Sequence, residues 1–176
     1  MMKKIRLPLD DKIISGLNAG DRVLLTGIIY TARDATHKRL TDCIKNKKKL
    51  PLELKNQTIY YTGPAPAKPK QIIGSCGPTT SSRMDEYTPS LLRNNLKGMI
   101  GKGDRSKEVV SEIKKHKAVY FIAPGGCGAL LSQTVKKCDL VAYGELGCEA
   151  IYKLKIKDFP AIVGIDCRGK NIYNRR

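Results

Sequence analysis

Apolar positions along the chain follow two rhythms. Residues 22–30 (Arg-Val-Leu-Leu-Thr-Gly-Ile-Ile-Tyr) form a β-branched run behind the turn-forming Asn18-Ala19-Gly20-Asp21, and so predict a strand. A second strand is expected over 57–62, closed by Gly63-Pro64-Ala65-Pro66; three prolines between 64 and 69 require a rigid loop there. On this pattern the first half is β-rich. The second half alternates: short strands at 98–100, 118–123, 139–143 and 161–165 are separated by helical patterns at 106–116, 128–135 and 147–152. In the first of these helices Val109, Val110 and Ile113 share one face. The segment Arg168-Gly169-Lys170 reads as a turn into Ile172-Tyr173. Strands followed by βαβα units predict a single mixed α/β domain over residues 1–176, without repeats.

Composition narrows the setting. The basic Met-Met-Lys-Lys-Ile-Arg start runs into Pro8, Asp10 and Asp11 where a signal sequence needs an apolar stretch, and no apolar run approaches the ~20 residues of a membrane span, so a cytoplasmic protein is expected. The 33 Lys and Arg exceed the 16 Asp and Glu by 17, a surplus suited to nucleic acid, an acidic partner or small anions. The cations are dispersed apart from Lys45 to Lys49, Trp is absent and Phe scarce, which argues against a base-stacking surface and leaves nucleic acid the weakest of the three. The six cysteines contain no C-x-x-C pair and no histidine at zinc-finger spacing, and disulfides are not expected in a reducing compartment.

Three segments place reactive groups at the ends of expected strands or helices. After the first strand, Thr31-Ala32-Arg33-Asp34-Ala35-Thr36-His37-Lys38-Arg39 offers a guanidinium able to grip a carboxylate, an acid able to orient a neighbour, and a titratable ring in the first turn of a helix, if one opens at Asp34 or Ala35. Gly77-Pro78-Thr79-Thr80-Ser81-Ser82-Arg83-Met84-Asp85 supplies hydroxyls as helix-cap candidates and as anion donors, with Arg83 one turn beyond Thr79. In Gly101-Lys102-Gly103 a lysine stands between glycines that let a ligand approach the backbone, with Asp104 or Ser106 capping the next helix. The spacing is not that of a P-loop, and Gly125-Gly126-Cys127-Gly128 reads as a tight strand-to-helix turn. Together Arg33, His37, Thr79, Arg83 and Lys102 suit a small dicarboxylate but lack the parts of a complete enzyme.

These three runs, with Tyr61-Thr62-Gly63-Pro64 and Asp158-Phe159-Pro160-Ala161, closely resemble the β subunit of class I fumarases and L-tartrate dehydratases over nearly the whole chain. The resemblance implies a swivelling β/β/α fold, a mixed sheet or barrel with flanking helices. It implies a hydro-lyase interconverting fumarate and L-malate, active only with an α subunit whose cysteines bind a [4Fe–4S] cluster; this chain would bind no metal. L-tartrate dehydratase is the alternative, a nucleic-acid-binding module the distant one, and self-association of the chain stays open. By the same resemblance Thr79 is the proton-abstracting residue, His37 a substrate contact and proton-transfer group, Arg83 and Lys102 carboxylate clamps, and Arg33 either a clamp or a brace for its loop. The chain departs from the family's usual Ala at Thr36, Ala-Ala at Cys127-Gly128 and Pro at Cys148.

Overall fold

The computed structural model describes residues 2–174. Seven strands alternate with short helices: β1 (Lys3–Arg6), α1 (Asp11–Ser15), β2 (Arg22–Thr31), α2 (Asp34–Lys45), β3 (Thr58–Tyr60), α3 (Thr88–Arg93), β4 (Gly98–Gly101), α4 (Lys107–Lys115), β5 (Val119–Ile122), α5 (Gly128–Ser132), β6 (Val135–Ala142) and β7 (Ile151–Ile165). Strands β2, β3, β4 and β5 run parallel side by side, and β7 pairs antiparallel with both β5 and β2, closing a five-stranded barrel. Strand β1 extends the wall beside β2 and β6 extends it beside β7. The expected α/β barrel with flanking helices is what the chain forms. No helix among the described residues is long and apolar enough to cross a membrane.

Side chains alternate between two cores because successive residues of a strand face opposite ways. Leu25, Tyr60, Ile100, Val119, Phe121, Leu154 and Phe159 belong to one buried cluster. Their neighbours Ile59, Tyr61, Met99, Tyr120 and Ile165 belong to the other, with Leu40 of α2, Leu91 and Leu92 of α3, and Val109 and Ile113 of α4. Strands β3 and β4 are buried on both faces, which parallel strands covered by helices require. The α4 boundaries follow their capping chemistry: Ser106 Oγ accepts the Val109 N–H, and His116 closes the helix.

The first half is less β-rich than its pattern predicts, since α1 and α2 both lie in it. Of these, α2 opens at Asp34, one of the two starts that the Arg33–His37 segment allowed, although its N-cap Arg33 gives no side-chain cap; α1 has only five residues. The helix expected over 147–152 is absent. A 3-10 segment, Gly144–Glu149, occupies the hairpin instead, broken where Gly147 takes φ 59° and ψ −120°, and β7 begins at Ile151. The helix expected over 128–135 ends at Ser132, because Val135 already belongs to β6. β7 runs 15 residues where only 161–165 reads as strand. Asp158 and Pro160 look like breakers, yet both fall where β7 passes from its β6-paired half to its β5-paired half and has no ladder on that edge. Asp158 adopts φ 53° at this irregularity, and its N–H donates to Thr26 Oγ1 at 3.0 Å.

Candidate active site at the parallel-strand rim

Four parallel neighbours bring four carboxyl ends to one rim of the barrel, and open loops at that rim carry the side chains for chemistry. Every candidate residue except His37 is carried at this rim by the chain leaving β2, by the segment laid over the ends of β3 and β4, or by the end of β4.

At the end of β2, Arg33 occupies the N-cap position of α2 without capping it. The first turn is capped from far along the chain: Glu149 Oε2 accepts the Ala35 N–H at 2.9 Å, and Thr36 Oγ1 donates to the Glu149 carbonyl. Thr36 is fully buried, so its hydroxyl adds a tie rather than disturbing the motif. The Arg33 guanidinium lies 3.6 Å from Glu149 Oε1 and 3.8 Å from Asp34 Oδ2, and its Nε makes no hydrogen bond. Its Nη1 runs past Gly63, where a Cβ would stand 2.8 Å away.

His37 lies one layer below, with no exposed surface. Its Nδ1–H donates to the Arg33 carbonyl at 2.9 Å, its edge meets the Tyr61 ring at 5.1 Å, and Nε2 is left without a partner. Burial pushes its pKa down to about 4, so the ring is neutral at pH 7.

The segment after Gly77-Pro78 lays itself between the ends of β3 and β4. Thr79 N–H donates to the Tyr61 carbonyl at 2.7 Å, Lys102 N–H to the Thr79 carbonyl at 3.3 Å, and Ser81 N–H to the Lys102 carbonyl at 2.9 Å. Thr79 and Lys102 are therefore held together through the backbone. The hydroxyl run does not cap an α-helix as expected; it opens a four-residue 3-10 turn, Ser81–Met84, with no side-chain cap. Ser81 turns inward to Tyr120 Oη at 2.9 Å, while Thr80 and Ser82 are exposed. Arg83 projects from this turn, half-exposed, and its Nε–H donates to Asp34 Oδ1 at 2.8 Å. Asp34 thus orients a neighbour, as its place in the motif suggests.

Lys102 is exposed at the end of β4, with its stem passing Gly125 in the turn after β5. The space beside Gly101 belongs to Ser81 rather than to a ligand: a Cβ there would stand 1.9 Å from Ser81 Oγ. Gly103, at φ 82°, makes the turn.

Three contributors escape a reading of the sequence. Glu149 lies 114 residues from the helix it caps, with no local signal. Arg105 and Asp85 form a buried pair, Nε to Oδ1 at 2.7 Å, which anchors the end of the 79–85 segment to the start of α4; the second Asp85 oxygen accepts the Ser106 N–H at 2.7 Å. A cavity of about 300 Å³ lined by Pro64, Ile73, Cys138, Cys148 and Tyr152 lies apart, and none of the five candidates lines it.

The sequence profile described as Fumarase C-terminus matches residues 2–176. The chain belongs to this family. Among relatives, a provisionally named L(+)-tartrate dehydratase subunit beta of Methanocaldococcus jannaschii is 39% identical over 94% of this chain and 88% of its own length. Fumarate hydratase 2 of Leishmania major is 36% identical over 97% of this chain, and the anaerobic class I fumarate hydratase of Escherichia coli 41% identical over 88%. The chain spans only 31% and 28% of the lengths of those two. The family expected from the motifs is the family found. Among the described residues, no group of three or more His, Cys, Asp or Glu side chains could hold a metal ion.

Proposed function

We propose that this chain is the carboxylate-clamping half of a hydro-lyase that interconverts fumarate and L-malate, working against a cluster-bearing α subunit. One observation carries the reading: two guanidiniums, an ammonium and a threonine hydroxyl are carried at one rim by elements tied to each other through Asp34–Arg83 and Thr79–Lys102. The family's relatives are named as hydro-lyases, and one is named as a β subunit, which supports the need for an α partner.

Dehydrating malate removes a weakly acidic C–H beside a carboxylate and expels hydroxide. Charge gathers on that carboxylate, and cations already fixed around it stabilise the transition state without reorganising. In this proposal Arg83 and Lys102 hold the carboxylates, with Arg33 beside them. Thr79 is the proton acceptor; a threonine is a weak base until a neighbour takes its own proton, so the partner must bring a carboxylate. With no exposed surface, His37 is proposed to set the loop on which Arg33 stands, through its bond to the Arg33 carbonyl, rather than to touch substrate or move a proton as the resemblance implies. In this proposal the chain itself carries no cluster, and no step is assigned to one here. The cluster is proposed to reside in the partner, as a Lewis acid for the departing hydroxyl.

Anaerobic co-expression with an α subunit, followed by malate and tartrate assays side by side, tests this. The complex is expected to dehydrate malate and the isolated chain to be inert; fumarate hydration by the chain alone would refute the shared site. Faster turnover of tartrate would favour the second reading, which rests on the relative from Methanocaldococcus jannaschii that this chain matches over 88% of its length.

A further inference from the structure

We propose that Glu149 is a positioning residue for the site, holding Arg33 open towards the rim; this inference rests on the function proposed above. Arg33 stands between two carboxylates at 3.6 and 3.8 Å, inside ion-pair range of both yet outside hydrogen-bond length of either. Its Nε–H is buried and unpaired, so the 21% of the side chain that is exposed lies elsewhere on the arginine. A guanidinium balanced in this way keeps its Nη donors for a ligand. Asp34 Oδ2 is likewise without a hydrogen bond, and is the oxygen onto which Arg33 would fall if the pull from Glu149 were removed. Glu149 is itself fixed: its other oxygen accepts the Ala35 N–H, its carbonyl accepts the Thr36 hydroxyl, and the next residue's carbonyl accepts Thr31 Oγ1 at 3.1 Å. The β6–β7 hairpin is thereby fastened to the β2–α2 junction, and its last acidic residue sets the pose of the arginine.

The two tasks of Glu149 separate chemically. In Glu149→Gln the amide oxygen still accepts the Ala35 N–H, but the charge facing Arg33 is gone; Glu149→Ala loses both. In the complex with the α subunit, Glu149→Gln is expected to hold the melting midpoint within about 2 °C while raising KM at least ~5-fold, since a misplaced guanidinium weakens carboxylate binding. Glu149→Ala is expected to raise KM similarly and also lower the midpoint by about 2–4 °C, the loss of a helix cap. A crystal structure of the Glu149→Gln chain is expected to show Arg33 within hydrogen-bond distance of Asp34. An unchanged KM overturns the proposal, as does a lower one, which would mean that Glu149 merely competes with substrate. An Arg33 that stays in place in the variant crystal overturns it too, even if the wild-type complex proves inactive. That inactivity would instead refute the proposed reaction.

Discussion

Arg105 holds the 79–85 segment to α4, and its removal should damage the domain. Its side chain has no exposed surface; Nε donates to Asp85 Oδ1 at 2.7 Å, Nη2 to Thr88 Oγ1 at 2.7 Å and Nη1 to Tyr61 Oη at 3.3 Å. Cζ lies 5.3 Å from the Tyr61 ring centroid and 5.1 Å from that of Tyr120. Burial opposes its charge, but Tyr61 and Asp85 outweigh that and raise its pKa, so the guanidinium stays protonated. Arg105→Met fills part of the volume but leaves the largely buried Asp85 carboxylate with only the Ser106 N–H. Breaking a buried pair from one side costs about 3–5 kcal/mol. At about 2–4 °C per kcal/mol for a domain of this size, the melting midpoint should fall by roughly 6–20 °C. Adding Asp85→Asn should recover part of the loss, because the stranded charge goes with it. Urea and thermal unfolding of the four proteins of this double-mutant cycle provide the measurement. A loss below about 1 kcal/mol for Arg105→Met, or two effects that simply add, would show that the pair does not hold the 79–85 segment to α4.

His37 predicts a pH dependence. Its folded pKa of about 4 lies below the ordinary 6.5, so between those values the unfolded chain binds a proton that the folded chain refuses. The resulting stability is full above about pH 6.5 and is lost as pH falls towards 4, by on the order of 3 kcal/mol. Unfolding free energies at several pH values should show this slope in the wild type and a flatter one in His37→Gln; parallel curves would refute it. Gly101→Ala places a Cβ 1.9 Å from Ser81 Oγ and 2.9 Å from Tyr61 Cδ2, and should cost about 1–3 kcal/mol through overpacking. Ser81→Ala in the same chain should return part of that cost, and denaturant midpoints that do not respond to the second change would contradict the contact. In the complex, Arg83→Ala or Lys102→Ala should lower kcat/KM for malate at least ~10-fold, the scale of losing one fixed charge at the reacting carboxylate. Near-wild-type kinetics would remove that residue from the site.

Much of this protein could be read along the chain. The β-branched run before Tyr30, the turn at Gly125-Gly126, the α4 helix with its Ser106 cap and the proline-rich loop are all local: each depends on residues a few positions apart whose backbone preferences agree. Arg33, Thr79, Arg83 and Lys102 could be picked out as candidates because each stands beside a turn or chain break, and His37 only through the motif that it shares with Arg33. Tertiary structure decided the rest. Barrel closure depends on β7 pairing with β2 more than a hundred residues away, and on a gap between two ladders that admits Asp158 and Pro160 inside what becomes one long strand. Packing turned Ser81 inward, left Arg83 out on Asp34, placed His37 beneath the surface and gave the cap of α2 to Glu149. The physical reason is common to all of these. Burial and ion pairing are set by which segments the closed sheet brings together, and no window of neighbouring residues contains that information.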